Sequence, residues 1–282
     1  MEKRPHKGTR VLRAVRLGAL WLLTLLALNR VIYASILPII FFHAGFDADA
    51  YAQNESDETL TPLAIESPSG TLYGWSWGDG DGIALYFGGD SMDSNGWLCS
   101  LDSTERARTF ASATLLTVDY PAFGRSEGVI SERSFYESAE ALYEYAEQAY
   151  PSAKKVLIGY SLGCAAALYL ASRYETDGLV LIAPMYDGTT MYFARNSFLH
   201  DWFAPTATVK LDNDAYAADV TERTLVIAST GDGMTRLADI EALCACFPTA
   251  PRIAVLDGTG HGDYWDDAKA QQAIGAFLRE IL

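Results

Sequence analysis

A serine with a glycine two positions away on each side is the first feature with catalytic potential. The sequence GYSLG at residues 159–163 follows the apolar run 156–158 and precedes the small residues 164–167. A buried strand, a sharp turn and a helix in this order form a nucleophile elbow, where glycines remove collisions around a strained serine. Ser161 is therefore a candidate nucleophile. Because so short a motif also arises by chance, the rest of the chain must supply its partners.

The second feature is a histidine that can serve Ser161 as a base. A serine hydroxyl is activated by an adjacent base, usually histidine, which a carboxylate orients. His261 directly follows the last predicted strand, and Gly260 and Gly262 leave its ring free to turn toward a neighbouring loop. His200 lies among aromatic residues, a setting typical of a packed or surface histidine. We expect His261 to be the base, with His200 as the alternative.

The third feature is a carboxylate at the end of another predicted strand. Asp232 follows the strand 224–228 and has a glycine on each side. The resulting chain order of serine, acid and histidine is that of enzymes built on this type of elbow. Asp232 also suits the N-terminus of a helix beginning near Thr235. The alternative acids are Asp187, Asp201 and Asp239.

Two backbone N–H groups are needed to stabilise the negative charge that forms when a serine attacks a carbonyl. One is expected from Leu162, the residue after the nucleophile. The other is expected from the glycine-containing loop 88–91, where Asp90 has the right position. The carboxylate of Asp90 would oppose an oxyanion, so its side chain is expected to point away.

The segments around these residues predict an α/β fold with an eight-stranded, mostly parallel sheet flanked by helices. The first two strands read as an antiparallel pair, and the later ones alternate with helices and are apolar throughout, as a sheet covered on both faces requires. Catalytic loops then lie at the carboxyl ends of the strands. The predicted strands are 63–66, 71–77, 83–87, 114–118, 156–158, 179–183, 224–228 and 252–256, and the helices include 97–111, 131–150 and 264–282.

The N-terminus differs from the rest of the chain in charge and hydropathy. Residues 1–16 form a basic tail, 17–42 are apolar apart from Asn29 and Arg30, 43–61 read as a polar linker, and 62–282 form the globular domain. We favour an uncleaved single-pass signal anchor over a cleaved signal peptide. A buried core helix is less suitable, because the basic flank would have nothing to pack on. Basic residues before the apolar segment and acidic ones after it predict a cytoplasmic N-terminus and an extracytoplasmic domain.

Composition limits the classes of partner. The net charge of the 282 residues is −15, although residues 1–30 are basic, so the domain is strongly acidic and unsuited to nucleic acid. Cys244 and Cys246 have neither redox nor zinc spacing, and the sequence predicts no metal or organic cofactor. A disulfide from Cys99 to one of these two cysteines stays open, and Cys164 reads as a small buried residue.

With these pieces in order, the chain resembles the α/β-hydrolase superfamily of serine hydrolases. It is most similar to small membrane-tethered members of the serine aminopeptidase-like and lysophospholipase-like groups. The resemblance covers about residues 60–282 and is carried by YFGGDS (86–91), VDYPAFGRSEG (118–128), IGYSLG (158–163), ASTGDGMT (228–235) and GTGHGDYW (258–265). It implies a Ser161, Asp232 and His261 triad with an oxyanion hole at Asp90 and Leu162. The family often has His-Gly-Asn where this chain has Gly-Gly-Asp, which leaves the substrate open.

The resemblance implies a serine hydrolase that cleaves ester, thioester or peptide-like acyl bonds of a small-molecule or lipid-like substrate. The alternatives are an acyltransferase with the same triad and a non-catalytic binding module. About forty residues between the strands ending at 183 and beginning at 224 are too few for a large cap domain. Their apolar residues either line an acyl pocket or pack a short cap onto the sheet; these are Met185, Tyr186, Met191, Tyr192, Phe193, Phe198, Trp202 and Phe203.

Overall fold

A computed structural model describes residues 7–41, 45–101, 103–190 and 209–282 of the chain. Its centre is an eight-stranded sheet with the order β1-β2-β4-β3-β5-β6-β7-β8. Both neighbours of β2 are antiparallel to it, and all pairs from β4 to β8 are parallel. The strands are β1 Leu60–Ser67, β2 Gly70–Trp77, β3 Gly82–Phe87, β4 Ala113–Val118, β5 Lys155–Tyr160, β6 Gly178–Ile182, β7 Thr224–Ser229 and β8 Arg252–Leu256. The predicted eight-stranded, mostly parallel sheet is confirmed.

Helices cover both faces of this sheet. Within the described residues they are α1 Lys7–Ile40, α2 Ala48–Glu55, α3 Ser94–Ser100, α4 Ser103–Phe110, α5 Glu132–Ala149, α6 Gly163–Ala171, α7 Asn213–Ala217, α8 Leu237–Cys244 and α9 Ala268–Ile281. Every residue of β3, β4, β6 and β7 is buried, which explains their unbroken apolar sequences. By contrast, β8 is an edge strand with Val255 half exposed.

Two predicted helices have different outcomes. The helix predicted at 131–150 is present as α5, which begins with a capping box between Ser131 and Ser134. The single helix predicted at 97–111 is wrong, because the structure has two shorter helices there, α3 and α4. Leu101 adopts an extended conformation between them, which ends α3.

The N-terminal helix α1 continues without a break through Asn29 and Arg30. Its window Val11–Leu28 is long and apolar enough to cross a membrane, and the described side chains there are exposed. Immediately after α1, Phe41 is only 1% exposed and its ring lies 5.5 Å from that of Phe135 on α5. The apolar helix therefore ends in direct contact with the core of the domain.

The segment 43–61, predicted as a polar linker, contains regular structure in its described residues. It contains α2, whose first turn is capped by the Asp47 side chain, and its last residues already belong to β1. The Asn54 side chain is 3% exposed and donates a hydrogen bond to the Asn95 carbonyl on α3 at 3.1 Å. The polar sequence did not predict this docking, because the helix attaches through buried hydrogen bonds as well as through the short apolar contacts of Ala50 and Tyr51.

The four cysteines, Cys99, Cys164, Cys244 and Cys246, are free thiols in the structure. Cys164 is fully buried in the core beneath the elbow, as expected for a small packing residue. Cys99 contacts α2 through the Ala50 carbonyl at 3.4 Å and the Asn54 side chain at 3.2 Å. Cys99 therefore helps to pack α2 against α3.

Candidate active site

The elbow at the end of β5 holds Ser161 in a left-handed backbone conformation with φ of +51°. This conformation is uncommon for a residue with a side chain, and it directs the serine out of the strand-to-helix turn. A Cβ atom on Gly163 would lie 2.0 Å from the Phe87 carbonyl oxygen, and one on Gly159 would lie 2.5 Å from the Cα atom of Cys164. The two glycines are therefore required by close backbone approach on either side of the serine.

The three residues predicted to act together lie in one hydrogen-bonded line. Ser161 Oγ is 2.9 Å from His261 Nε2, and His261 Nδ1 is 2.8 Å from Asp232 Oδ2. The parallel strands β5, β7 and β8 end at the same edge of the sheet, which brings together loops separated by up to 100 residues. A serine, an imidazole and a carboxylate in this arrangement can transfer a proton from the hydroxyl group to the ring.

Asp232 is held in the ionised state by its neighbours. Its carboxylate accepts hydrogen bonds from the Met234 and Thr235 amides at 2.8 and 2.9 Å and from the Thr235 hydroxyl at 2.7 Å. Burial alone would raise the pKa of this carboxyl, but the hydrogen bonds from His261 and Thr235 outweigh burial and lower the pKa to about 2. The negative charge beside His261 is thus present throughout the neutral pH range.

Asp232 does not cap the following helix in the way that its sequence position allowed. Helix α8 begins at Leu237 with Arg236 as its N-cap residue. The amides that Asp232 accepts belong to the turn before α8, so the carboxylate orders that turn and faces His261 with the same side chain.

Two tyrosines that sequence reasoning missed form hydrogen bonds with Asp232 and His261. The Tyr264 hydroxyl donates to Asp232 Oδ2 at 3.1 Å, and the Tyr160 hydroxyl donates to the His261 carbonyl oxygen. Tyr264 lies three residues after His261, and Tyr160 is the variable residue directly before Ser161. Each tyrosine lies close in the chain to a predicted residue, and this proximity was the only hint the sequence offered of their role. The sequence position does not show which atom each hydroxyl contacts.

The loop after β3 approaches the nucleophile through its glycines. Its first carbonyl, Gly88 O, accepts a hydrogen bond from the Tyr120 hydroxyl at 2.9 Å. A Cβ atom on Gly89 would lie 3.7 Å from Ser161 Cβ, so the loop backbone passes directly beside the serine. The Asp90 carboxylate accepts a hydrogen bond from the neighbouring Ser91 hydroxyl at 2.9 Å. Leu162 immediately precedes α6, the helix whose N-terminus lies at the site.

A cavity of about 390 Å³ opens beside Ser161 and His261. It lies between the loop 88–93, the N-terminal part of α3, the end of β4 and the residues around His261. Six aromatic side chains contribute to its walls, which also include Met92 and Met234; the aromatic residues are Tyr86, Trp97, Tyr120, Phe123, Tyr160 and Trp265. Apolar walls with a few polar groups beside a reactive side chain are typical of a small-molecule site.

Two buried carboxylates, Asp93 and Asp119, also line this cavity. Asp93 caps α3, accepting from the Gly96 amide at 2.8 Å and from the Asn95 side chain at 2.9 Å. Asp119 accepts from the Ser94 amide at 2.6 Å. Burial, with a further contribution from the charge of Asp93, raises the pKa of Asp119 to about 7 despite the hydrogen bonds from Ser94.

The other candidates for the triad are not at this site. Asp187 accepts the Thr189 and Thr190 amides within its own turn, and Asp239 pairs with Arg236. His200 and Asp201 lie outside the described residues, as do Met191, Tyr192, Phe193, Phe198, Trp202 and Phe203. Met185 is buried in the core, and neither it nor Tyr186 lines the cavity beside Ser161.

The loop 119–128 is held by hydrogen bonds of its own and to β2. The Ser126 hydroxyl donates to the Asp119 carbonyl at 2.8 Å and accepts from the Tyr73 amide at 3.0 Å. Its first residues nevertheless reach the cavity wall. In the described part of the chain no group of three or more His, Cys, Asp or Glu side chains is placed to hold a metal ion.

The amino-acid sequence of this chain is similar to a protein family and to individual known proteins. A family model described as alpha/beta hydrolase fold matches residues 87–206. The alpha/beta hydrolase domain-containing protein 17C of Mus musculus is 26% identical over 202 residues, covering 70% of this chain and 60% of that protein. The alpha/beta hydrolase domain-containing protein aho-3 of Caenorhabditis elegans is 27% identical over 174 residues, covering 59% and 49%. The chain thus matches about 60% or less of the length of these relatives.

Solved structures agree in fold at low sequence identity. The esterase Pf2001 of Pyrococcus furiosus is similar with a TM-score of 0.59 and 17% identity, covering 79% of this chain and 92% of that one. A serine hydrolase without lid from Xanthomonas campestris gives a TM-score of 0.59 and 17% identity, covering 80% and 96%. Sheet order, elbow geometry, family model and relatives agree in supporting the α/β-hydrolase superfamily, and the chain has the α/β-hydrolase fold.

Proposed function

We propose that this protein is a serine hydrolase that cleaves ester, thioester or peptide-like acyl bonds through Ser161, His261 and Asp232. The observation that carries the proposal is the continuous line of hydrogen bonds, 2.9 Å from Ser161 Oγ to His261 Nε2 and 2.8 Å from His261 Nδ1 to Asp232 Oδ2. The same line supports an enzyme over a non-catalytic binding module, because a module has no need of an oriented base beside a strained serine.

The reaction follows from the roles that this geometry allows. Ser161 Oγ attacks the acyl carbonyl carbon while its proton passes to His261 Nε2. The tetrahedral intermediate collapses, the leaving group takes that proton, and an acyl-enzyme remains. Water then attacks the acyl-enzyme, with His261 again accepting a proton and returning it to Ser161. Asp232, ionised at neutral pH, holds the ring in the tautomer with hydrogen on Nδ1 and stabilises the imidazolium.

The amides of Leu162 and Asp90 are the proposed donors to the oxyanion. Leu162 precedes helix α6, whose N-terminus favours negative charge. Asp90 follows Gly89, whose backbone passes beside Ser161. The Asp90 carboxylate is engaged by Ser91, which supports the expectation that it turns from the reacting oxygen. Loss of one such donor in serine enzymes typically costs about 10²–10³ in kcat.

The cavity beside Ser161 supports a small or medium-sized acyl compound as substrate. Its volume of about 390 Å³ lies at the lower end of the range for small-molecule sites. Aromatic walls favour an apolar acyl or aryl group next to the scissile bond. One structural neighbour, Pf2001 of Pyrococcus furiosus, is an esterase, and ester hydrolysis is the first reaction to test here.

We further propose that α1 anchors the enzyme in a membrane, with the N-terminus in the cytoplasm and the catalytic domain on the other side. The exposed apolar window Val11–Leu28 and the basic residues that precede and begin it support this orientation. Protease added outside intact cells or spheroplasts should digest the domain. Digestion only after lysis would contradict the orientation.

The catalytic proposal is tested by labelling with a fluorophosphonate probe and by turnover of p-nitrophenyl esters of increasing chain length. The full-length protein should be labelled at Ser161, and Ser161→Ala should lose both labelling and turnover. Ser172→Ala, at the C-terminal end of α6, removes a serine hydroxyl that donates to the Tyr169 carbonyl and accepts from the Arg173 guanidinium, and it should keep both. Folded wild-type protein that neither labels nor differs from Ser161→Ala in turnover would refute the assignment. Added alcohol or amine acceptors distinguish an acyltransferase by its products.

A further inference from the structure

A buried polar network joins helix α2 to the loop that carries the proposed oxyanion donor. The Asn54 side chain on α2 donates to the Asn95 carbonyl oxygen at 3.1 Å. The Asn95 side chain in turn accepts from Trp75 Nε1 at 2.7 Å and donates to Asp93 Oδ2 at 2.9 Å. Asn54, Asn95 and Asp93 are each 3% exposed, so water does not compete for these bonds.

Asp93 is the residue at which this network meets the catalytic loop. It ends the loop 88–93, caps α3 through the Gly96 amide at 2.8 Å, and accepts weakly from the Asp47 amide at 3.4 Å. The opposite end of the loop is fixed by the hydrogen bond from Tyr120 to the Gly88 carbonyl. Asp90 lies between these two attachments. The position of its amide is therefore set by Tyr120 on one side and by the α2–α3 contact on the other.

We propose that Asn54 and Asn95 are positioning residues for the Asp90 amide, so that helix α2 sets the geometry of the oxyanion loop. This inference rests on the proposed hydrolase function. Oxyanion donors act because they are already aimed at the developing charge, and a displacement of about 1 Å can cost on the order of 10² in rate. Asn54 touches neither the cavity nor the triad, so its effect is exerted entirely through α3 and Asp93.

Helix α2 also lies close in the chain to the end of the apolar N-terminal helix. Only six residues separate Phe41, which is packed against Phe135 in the core, from Ala48 at the start of α2. Helix α2 is thus attached to the domain along its length by its contacts with α3, and it follows closely in the chain a residue packed in the core.

The test compares full-length variants in detergent by the kcat and KM of a p-nitrophenyl ester, by thermal unfolding and by the rate of fluorophosphonate labelling. Asn54→Ala should lower kcat and the labelling rate about tenfold, with KM within about twofold of wild type and an unchanged pH profile. Asn54→Gln, which keeps the amide, should restore a large part of the lost kcat. Gln53→Ala, at the exposed neighbouring position, should match wild type.

Ile274→Val is the control for lost stability, since this buried residue on α9 lies outside the network. The two variants are compared under conditions in which their Tm values are equal. The proposal is overturned if Asn54→Ala lowers kcat no more than Ile274→Val does. It is also overturned if KM rises as much as kcat falls. If wild-type protein itself is not labelled, the hydrolase assignment fails first, and this inference fails with it.

Discussion

Asp119 should make the stability of this protein fall as the pH rises toward neutrality. The residue follows β4, is 5% exposed, and accepts a hydrogen bond from the Ser94 amide at 2.6 Å. The negative charge of the Asp93 carboxylate, which also lines the cavity, raises the pKa of Asp119 further. No Lys or Arg of the described residues forms an ion pair with it. A charge at this position is consequently both desolvated and repelled.

The size of the effect follows from the displaced pKa. Burial raises the pKa of Asp119 from 3.8 to about 7, so between these values the folded protein keeps a proton that the unfolded chain has lost. The free energy of unfolding therefore decreases with increasing pH across this window and levels off above pH 7. At 1.36 kcal/mol per pKa unit, the total decrease is about 4 kcal/mol.

Asp119→Asn removes the titration while keeping an oxygen that can accept from the Ser94 amide. Its Tm should equal that of wild type near pH 4 and exceed it by roughly 10 °C at pH 8. Thermal unfolding of the full-length protein in detergent, monitored by tryptophan fluorescence at one-unit pH intervals, measures this difference. Asp219→Asn, which makes the same change of charge at an exposed position, should follow the wild-type curve. A difference in Tm between Asp119→Asn and wild type that does not grow with pH would refute the reasoning.

Two further variants test the backbone packing of the elbow and the support of the acid. Gly163→Ala places a methyl group 2.0 Å from the Phe87 carbonyl oxygen and should prevent folding or lower Tm by more than 10 °C. The matched control is Gly233→Ala, since a Cβ atom there meets nothing within 4 Å. Tyr264→Phe removes the 3.1 Å hydrogen bond to Asp232 and should lower kcat about tenfold with little change in KM. Ester kinetics measure this loss, and an unchanged kcat would show that Thr235 and the backbone amides suffice.

The sequence predicted the three residues that the structure brings together because each is identified by the residues next to it in the chain. Ser161 lies in a five-residue motif, and Asp232 and His261 follow strands and have flanking glycines. Parallel strands bring their carboxyl ends to one edge, so the strand assignments alone placed these residues near one another. Tyr160 and Tyr264 have no such identifying pattern around them. Their hydroxyl partners depend on side-chain packing, which short-range patterns do not encode.

The same limitation applies to helix α2 in the segment 43–61. Hydrophobic periodicity identifies a helix that buries an apolar stripe, as in α5. Helix α2 docks in part through Asn54, which is buried as completely as core residues, and through the Cys99 thiol on α3. A polar side chain whose partner is distant in the chain is indistinguishable, in sequence, from one exposed to water. The break at Leu101 was missed for a related reason, because no glycine or proline marks the end of α3.

The elbow and the loop with the proposed oxyanion donor pack directly against each other through their backbones. Backbone atoms therefore meet the requirements of catalysis, while side chains determine which substrate fits. Gly163 at the start of α6 lies against the carbonyl oxygens of Phe87 and Gly88, so the absence of a side chain there fixes the distance between the two loops. The proposed donors to the oxyanion are backbone amides, and their positions do not depend on the side chain that Asp90 carries. That side chain bonds to Ser91 and lies at the cavity. Replacing the family's frequent His-Gly-Asn by Gly-Gly-Asp therefore changes the walls and charge that a substrate meets, while the backbone that would stabilise its oxyanion is retained.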